Sequence, residues 1–81
     1  MQFYNVYTLI SENDSSRHYT GFTIDVDSRL KKHNSGKCKH TTKYRPWRIN
    51  LIVSFTDEHK ARAFEKYLKS HSGRAFAAKH S

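Results

Sequence analysis

The sequence predicts an α+β domain whose small three-stranded sheet, antiparallel or mixed, is flanked by two to three helices. Three observations support this class: two apolar, β-branched stretches, a turn-rich segment that leads into a returning strand, and two stretches with helical apolar spacing. The 81 residues have the length of one domain, which we place over residues 1–81. The expected order is strand, strand, helix, strand, helix.

The first two strands form a predicted hairpin. Residues 3–10, FYNVYTLI, are aromatic and β-branched, and residues 18–23, HYTGFT, have the composition of a returning strand. The polar segment between them, residues 11–17, is rich in residues that favour turns. Gly21 lies inside the second strand, where a glycine packs nothing and costs backbone entropy. We therefore expect either a bulge or a close approach to the backbone beside Tyr19.

A first helix is predicted over about residues 26–35. Asp25 is suited to cap its amino terminus, and Gly36 is suited to end it. Val26 and Leu30, four residues apart, are expected to form its inner face.

The third strand and second helix follow an irregular basic segment, residues 37–48, in which Pro46 keeps the residue before it from being helical. Residues 49–55, INLIVSF, alternate apolar with smaller or polar residues, which indicates a half-buried strand. Its apolar side chains are Ile49, Leu51, Val53 and Phe55. A helix capped by Thr56 or Asp57 would then run to about Ser70, with the apolar stripe Ala61, Phe64 and Leu68. The tail after Gly73 is a candidate for one more short helix.

The net charge of +8 is concentrated in one part of the chain. Residues 28–56 contain no Asp or Glu, and such a basic stretch favours a polyanionic partner. Nucleic acid fits better than a membrane, because no amphipathic helix pairs these charges with a broad apolar face. The side chains expected to contact it are Lys31, Lys32, Lys37, Lys39, Lys43 and Arg45. A cytoplasmic setting is expected, because Cys38 cannot form an internal disulfide and neither a signal peptide nor a membrane span is recognisable.

Several chemically active side chains are distributed over these elements. A hairpin would bring Tyr7 and Tyr19 near each other, and the four-residue spacing of Arg29 and His33 puts both on one helix face. We expect that face to point away from the core, because it is not the apolar side of the helix. Glu65 lies beside the apolar stripe of the second helix, and spacing alone favours a solvent-facing carboxylate there.

NVY at residues 5–7 followed by YTG at residues 19–21 resembles the paired motif of the GIY-YIG nuclease superfamily. The likeness continues through YTGFTIDVDSRLKKHNSGK, similar to the family's second strand and first helix, and AFEKYLKSHSGRAF, similar to the glutamate helix and tail of its small stand-alone members. Those members resemble the N-terminal nuclease domain of the excision-repair endonuclease. The ordered set is Tyr7, Tyr19, Gly21, Arg29, His33 and Glu65. No asparagine follows Asn50, where many family nucleases carry one.

The resemblance implies a GIY-YIG-like fold and a structure-selective DNA endonuclease that hydrolyses phosphodiester bonds with one divalent ion, Mg²⁺ or Mn²⁺. Glu65 would be the sole protein ligand of that ion, and Arg29 would hold a phosphate oxygen. The general base is left open among Tyr7, Tyr19 and His33. A neutral imidazole suits a base near pH 7 better than a phenol with a pKa of ~10, unless cations depress the latter.

The implied substrate is branched, damaged or single-stranded DNA. An unidentified protein partner is also expected as a source of substrate specificity. In the family, Gly21 would flank the catalytic pocket and let substrate or the tyrosines pack close.

A second interpretation is a non-catalytic nucleic-acid-binding module that keeps the nuclease fold. A zinc site at His33, Cys38 and His40 is not favoured, because no second cysteine is present.

Overall fold

The computed structural model describes residues 1–70. Its elements are β1 (Tyr4–Ser11), β2 (His18–Thr23), α1 (Val26–Asn34), a 3₁₀ turn (Thr42–Tyr44), β3 (Trp47–Phe55) and α2 (Glu58–Lys69). The α+β class and the element order predicted from the sequence are confirmed. The proposed tail helix after Gly73 lies outside the described residues.

The three strands form one antiparallel sheet in the order β2-β1-β3. The central strand, β1, therefore has hydrogen-bonded neighbours on both sides. In the hairpin register Tyr7 pairs with Gly21, and Leu9 pairs with Tyr19. The two tyrosines are thus diagonal neighbours on one face of the sheet, because side chains two residues apart point the same way.

The sheet lies between the two helices. Val6, on one face of β1, packs in a core with Ala61 and Leu68 of α2. Tyr7, the next residue, points to the opposite face and packs with Leu30 of α1. Because successive strand residues face opposite ways, α1 and α2 cover opposite faces of the sheet.

The third strand departs from the predicted alternation. It begins at Trp47, two residues earlier than expected, and its register with β1 shifts between Thr8 and Leu9. Leu51 pairs with Thr8, whereas Ile49 pairs with Leu9. A bulge adds one residue to a strand and reverses the facing of everything beyond it. The expectation that Ile49 shares a face with the three later apolar residues was therefore wrong: Ile49 packs on the α1 side.

Both helices begin at the caps that their sequences favour. The Asp25 carboxylate accepts a hydrogen bond from the backbone N–H of Ser28 at 3.0 Å, and α2 is capped by Asp57, whose carboxylate accepts from two backbone N–H groups. After α1, Gly36 adopts φ = +85°, a conformation that glycine takes without strain and that ends a helix. None of the helices in the described part of the chain has the length and apolar character needed to cross a membrane.

Candidate active site

Tyr7 and His33 form a buried hydrogen-bonded pair between β1 and α1. The Tyr7 hydroxyl lies 3.0 Å from Nε2 of His33. Their relative exposures are 0% and 1%, so water does not surround either group. The pair joins two residues that are 26 positions apart in the chain.

The face of α1 that carries His33 and Arg29 points toward the sheet, so the expectation that it looks out of the core was wrong. His33 is the buried residue of this helix, whereas Leu30 and Val26 are half-buried. His33 follows Leu30 by three residues and Val26 by seven, which places all three on one stripe of the helix. That stripe faces the sheet, and Arg29 lies on its margin, half-buried.

Gly21 provides the space that Tyr7 occupies. A Cβ at Gly21 would lie 2.5 Å from Cζ and 2.8 Å from Cε1 of Tyr7, and it would also contact the phenol oxygen. Such distances are far below van der Waals contact, so a side chain at this position would have to displace the Tyr7 ring. The predicted close approach beside Tyr19 is therefore made by a tyrosine of the neighbouring strand.

Tyr19 and Arg29 complete a compact group with this pair, and we call Tyr7, Tyr19, Arg29 and His33 the Tyr7 cluster. The ring of Tyr19 lies 4.6 Å from the His33 ring and 6.2 Å from the Tyr7 ring, measured between centroids. The Arg29 guanidinium lies near the Tyr7 hydroxyl. Tyr19 and Arg29 are half-buried, so they form the accessible side of the cluster.

Arg29 carries an unused hydrogen-bond donor. Its Nε is buried and has no hydrogen-bond partner among the described residues. A buried donor without a partner costs free energy, and in native structures it commonly marks a site where a ligand or water is bound. Because the Arg29 guanidinium interacts with Tyr7, this unpartnered donor belongs to the Tyr7 cluster.

Burial and charge fix the protonation states within the cluster. Burial, with a smaller contribution from Tyr19, raises the pKa of Tyr7 to about 12, and the charge of Arg29 opposes this rise. Burial, followed by the charges of Arg29 and Lys32, holds the pKa of His33 below its usual range. Near pH 7 the pair therefore consists of a protonated phenol and a neutral imidazole.

One residue near the cluster, Thr41, was not predicted from the sequence, and a second, Cys38, was considered there only as a zinc ligand and a free thiol. The hydroxyl of Thr41 lies 3.0 Å from Nδ1 of His33, and Cys38 lies close enough to Tyr7 for its charge to affect the pKa of the phenol. Both belong to the irregular segment between α1 and β3. That segment has no periodic pattern, so nothing in the sequence indicated that a threonine there would be buried against a helix.

Glu65 has its ion-pair partners on its own helix rather than in the Tyr7 cluster. It lies on α2, which packs on the opposite face of the sheet, and its ion-pair partners are Arg62 at 3.6 Å and Lys69 at 3.2 Å. No hydrogen bond or ion pair within residues 1–70 joins it to the cluster. Its side chain is only 16% exposed, so the solvent-facing carboxylate favoured by spacing alone was wrong. Arg62 stacks on Phe22 at 3.6 Å, which puts this flank of α2 over the edge strand β2.

The basic residues divide into two groups. Lys31, Lys32 and Lys37, with Ser28 and Ser35, line one open cavity of about 350 Å³ along the outer side of α1, which we call the lysine groove. Lys39, Lys43 and Arg45 lie outside it, in the segment after α1. Within the part of the chain that the structure describes, no three His, Cys, Asp or Glu side chains are arranged to hold a metal ion.

The chain is similar to known proteins over nearly its whole length. The family model of the GIY-YIG catalytic domain matches residues 3–79. UPF0213 protein BH0048 of Halalkalibacterium halodurans is 39% identical over 71 residues, which are 86% of this chain and 76% of that protein. The solution NMR structure of UPF0213 protein BH0048, from Bacillus halodurans, matches with a TM-score of 0.57 at 32% identity, covering 95% of this chain and 83% of that one.

Longer relatives share the same segment. The structure-specific endonuclease subunit SLX1 homolog of Drosophila persimilis is 39% identical over 72 residues, and the corresponding protein of Xenopus laevis is 39% identical over 70 residues. Each match covers 78% of this chain and 25% of the relative, so the chain spans about a quarter of the length of these proteins. The matches confirm the expected enzyme class, an endonuclease domain. As the order of its motifs predicts, the chain belongs to the GIY-YIG nuclease superfamily.

Proposed function

We propose that the chain hydrolyses phosphodiester bonds in DNA, that it uses one divalent metal ion, and that it selects its substrate by shape rather than by sequence. The observation that carries the proposal is the Tyr7 cluster, where two phenols, a guanidinium and a neutral imidazole converge from three elements. These are the groups that position a phosphate and accept a proton from an attacking water.

Arg29 is proposed to bind the scissile phosphate. Arg29 is half-buried at the accessible side of the cluster, its Nε has no hydrogen-bond partner among the described residues, and its permanent charge stabilises the negative charge that develops during hydrolysis. Lysine would serve less well, because it lacks the planar fork that engages phosphate oxygens in pairs.

Tyr7 and His33 are proposed to act together as the general base. The Tyr7 hydroxyl is buried, so a half-buried neighbour, Tyr19 or Arg29, must move before an attacking water reaches it. That water then gives a proton to the Tyr7 oxygen while the phenol proton passes to Nε2 of His33, 3.0 Å away. The resulting hydroxide forms the new bond to phosphorus, the bond to the leaving oxygen breaks, and the imidazolium later returns its proton to solvent. Tyr19, half-buried at the accessible side, is suited to position the water. With its pKa raised to about 12, Tyr7 is a neutral phenol and cannot accept a proton unless it gives up its own, and in the relay that proton goes to His33, so Tyr7 stays neutral throughout.

Glu65 is the proposed protein ligand of the metal ion. Mg²⁺ and Mn²⁺ prefer oxygen ligands, and Mg²⁺ is commonly held by one carboxylate and several waters, so a single largely buried glutamate fits. When bound by Glu65, such an ion would supply Lewis-acid chemistry, polarising a phosphate oxygen and stabilising the leaving oxygen. Both Glu65 oxygens are engaged by Arg62 and Lys69, so at least one of these ion pairs must open for the ion to bind.

The lysine groove is proposed to bind the DNA backbone. Lys31, Lys32 and Lys37 line one concavity along and just beyond the helix that also carries Arg29. Lys39, Lys43 and Arg45 would extend the contact along the following segment. Phosphate contacts fix position without reading sequence. Selection by shape is consistent with the names of the relatives, which are structure-specific endonuclease subunits. We further propose that the substrate is branched, damaged or single-stranded DNA and that a protein partner contributes to its selection. A reducing cytoplasmic setting is also proposed, since Cys38 is a free thiol.

A non-catalytic DNA-binding module is the second candidate. The observation that favours it is the state of Glu65, which is paired with two cations and has no hydrogen bond or ion pair with the cluster within residues 1–70. A protein of this kind would bind DNA through the lysine groove and leave it intact.

A nicking assay separates the two functions. Supercoiled and branched DNA would be incubated with the wild-type chain, Glu65→Gln and Glu58→Gln, with Mg²⁺ or Mn²⁺ and with a chelator. Glu58 is the matched control, because it lies on the same helix and pairs with the same Arg62, at 3.7 Å, but is exposed. We expect ion-dependent nicking by the wild type and Glu58→Gln, and loss of nicking in Glu65→Gln with binding retained. Binding without nicking by all three proteins would support the module.

A further inference from the structure

We propose that Thr41 is a positioning residue that holds His33 in the tautomer with a proton on Nδ1 and a free lone pair on Nε2. The inference deepens the proposed function, on which it rests, because that lone pair is what accepts the Tyr7 proton. Neither the periodicity of the sequence nor its motifs indicates Thr41.

The direction of the hydrogen bonds is inferred from the Thr41 hydroxyl, which has a single proton to donate. Thr41 is 2% exposed, and its hydroxyl donates to the carbonyl oxygen of Cys38 at 3.3 Å. A hydroxyl has one proton to donate, and we infer that it is given to the Cys38 carbonyl, which can only accept, so that toward Nδ1 of His33, at 3.0 Å, the hydroxyl acts as an acceptor. Nδ1 therefore carries the proton. In a neutral imidazole Nε2 is then unprotonated and accepts the hydrogen bond from the Tyr7 hydroxyl.

The same arrangement accommodates the protonated ring. After Nε2 has received the phenol proton, both ring N–H groups still have acceptors, the Tyr7 oxygen on one side and the Thr41 hydroxyl on the other. No side chain has to turn, so the transfer requires little reorganisation of the buried groups. An imidazole without a partner on Nδ1 would have to bury an unpaired N–H in this state, which is costly.

Thr41 is itself held in place from the opposite side. Its carbonyl oxygen accepts the indole N–H of the buried Trp47 at 2.8 Å. The backbone of Trp47 is bonded in turn to Asn34, whose side-chain oxygen accepts at 2.6 Å and whose amide donates at 3.0 Å. Asn34 directly follows His33. Hydrogen bonds through Trp47 thus connect the turn that carries Thr41 to the carboxyl-terminal end of α1, where the His33 ring also lies.

The tautomer can be measured directly by nitrogen NMR on the full chain without DNA or metal. The chain has six histidines, so the ring signals of His33 would be assigned by their loss in His33→Gln. Wild type and Thr41→Ser are expected to show the tautomer protonated on Nδ1. Thr41→Val keeps the shape but removes the acceptor, and we expect it to shift the ring toward protonation on Nε2. A wild-type ring protonated on Nε2 overturns the proposal even when Thr41→Val does not fold, and so does an unchanged tautomer in Thr41→Val.

Cleavage provides the second readout. Thr41→Val is expected to cut DNA about 10–100-fold more slowly across the pH range, with Thr41→Ser restoring most of the rate. A merely structural role would lower the melting temperature and leave the rate constant of the folded protein unchanged, which would count against positioning. A wild type that does not cut would overturn the proposed nuclease function, whereas the NMR result would still decide the role of Thr41.

Discussion

Replacing Gly21 with alanine adds one methyl group at the point where Tyr7 crosses β2. Alanine is intrinsically better than glycine inside a strand by about 0.5–1 kcal/mol. Against this gain, the new Cβ would lie 2.5 Å from Cζ of Tyr7, and overfilling a packed core costs about 1–3 kcal/mol. Because Tyr7 has no exposed surface, its ring cannot simply swing into solvent. We expect a net loss of about 1–2 kcal/mol.

Two assays measure the consequence. A loss of this size lowers the melting temperature of a chain this short by about 4–16 °C, which a thermal scan resolves readily. The displaced ring also loses its 3.0 Å contact with His33, so DNA cleavage by Gly21→Ala should fall further than its stability alone explains.

A double-mutant cycle identifies the cause. In a Tyr7→Leu background the side chain no longer reaches the space above Gly21, so Gly21→Ala should become neutral or stabilising by about 0.5–1 kcal/mol. A Gly21→Ala protein with unchanged stability, or an equal loss in both backgrounds, would refute the close-packing role of this glycine.

Three further predictions concern stability. Because burial and nearby cations hold the pKa of His33 below its usual range, the unfolded chain takes up a proton first, and the urea midpoint should fall as the pH drops below about 6.5. Tyr7, with its pKa raised to about 12, ionises first in the unfolded chain, so the midpoint should also fall from about pH 10 upward, and Tyr7→Phe should flatten that alkaline decline. Asn34→Ala removes two bonds to the Trp47 backbone, at 2.6 and 3.0 Å, and should cost about 1–3 kcal/mol in urea denaturation. Ser35→Ala is its control, since that exposed hydroxyl bonds only to its own helix, and a similar loss in both variants would contradict the fastening role of Asn34.

The local features of the fold were predictable because they depend on neighbouring residues. Asp25 precedes an apolar-periodic stretch and caps a helix, and Gly36 ends that helix in the left-handed conformation that glycine favours. The hairpin followed from two β-branched runs around a polar turn, and it placed Tyr7 and Tyr19 on one face as expected.

The sequence-based predictions were wrong where contacts between distant residues determine which side chains are buried. His33 was expected to face outward because its face is not the apolar side of the helix, but the partners that make its burial tolerable, Tyr7 and Thr41, come from other elements of the fold. Ile49 was assigned to the wrong face because a bulge leaves no mark in an apolar alternation. Thr41 escaped notice for the same reason as His33, since a buried polar residue is recognised by its partners alone.

The case of Glu65 shows what the family motif can predict about a residue and what it cannot. The resemblance identified it as the metal ligand, and the structure finds it largely buried, although on the helix that covers the face away from the Tyr7 cluster. Its two cationic partners were one turn away in the sequence, yet their competition with a metal ion becomes evident only from the distances of 3.6 and 3.2 Å.

The most direct test of the central claim is the single-turnover cleavage of branched DNA in Mg²⁺ by Arg29→Ala and Arg48→Ala. Both variants lose one positive charge, but Arg48 is exposed and pairs with Ile10, on the face of the sheet away from the cluster. We predict that Arg29→Ala cuts about 10²–10³-fold more slowly, as expected when one group that stabilises transition-state charge is lost, whereas Arg48→Ala cuts at close to the wild-type rate. Equal rates for the two variants would contradict the assignment of phosphate hydrolysis to the Tyr7 cluster.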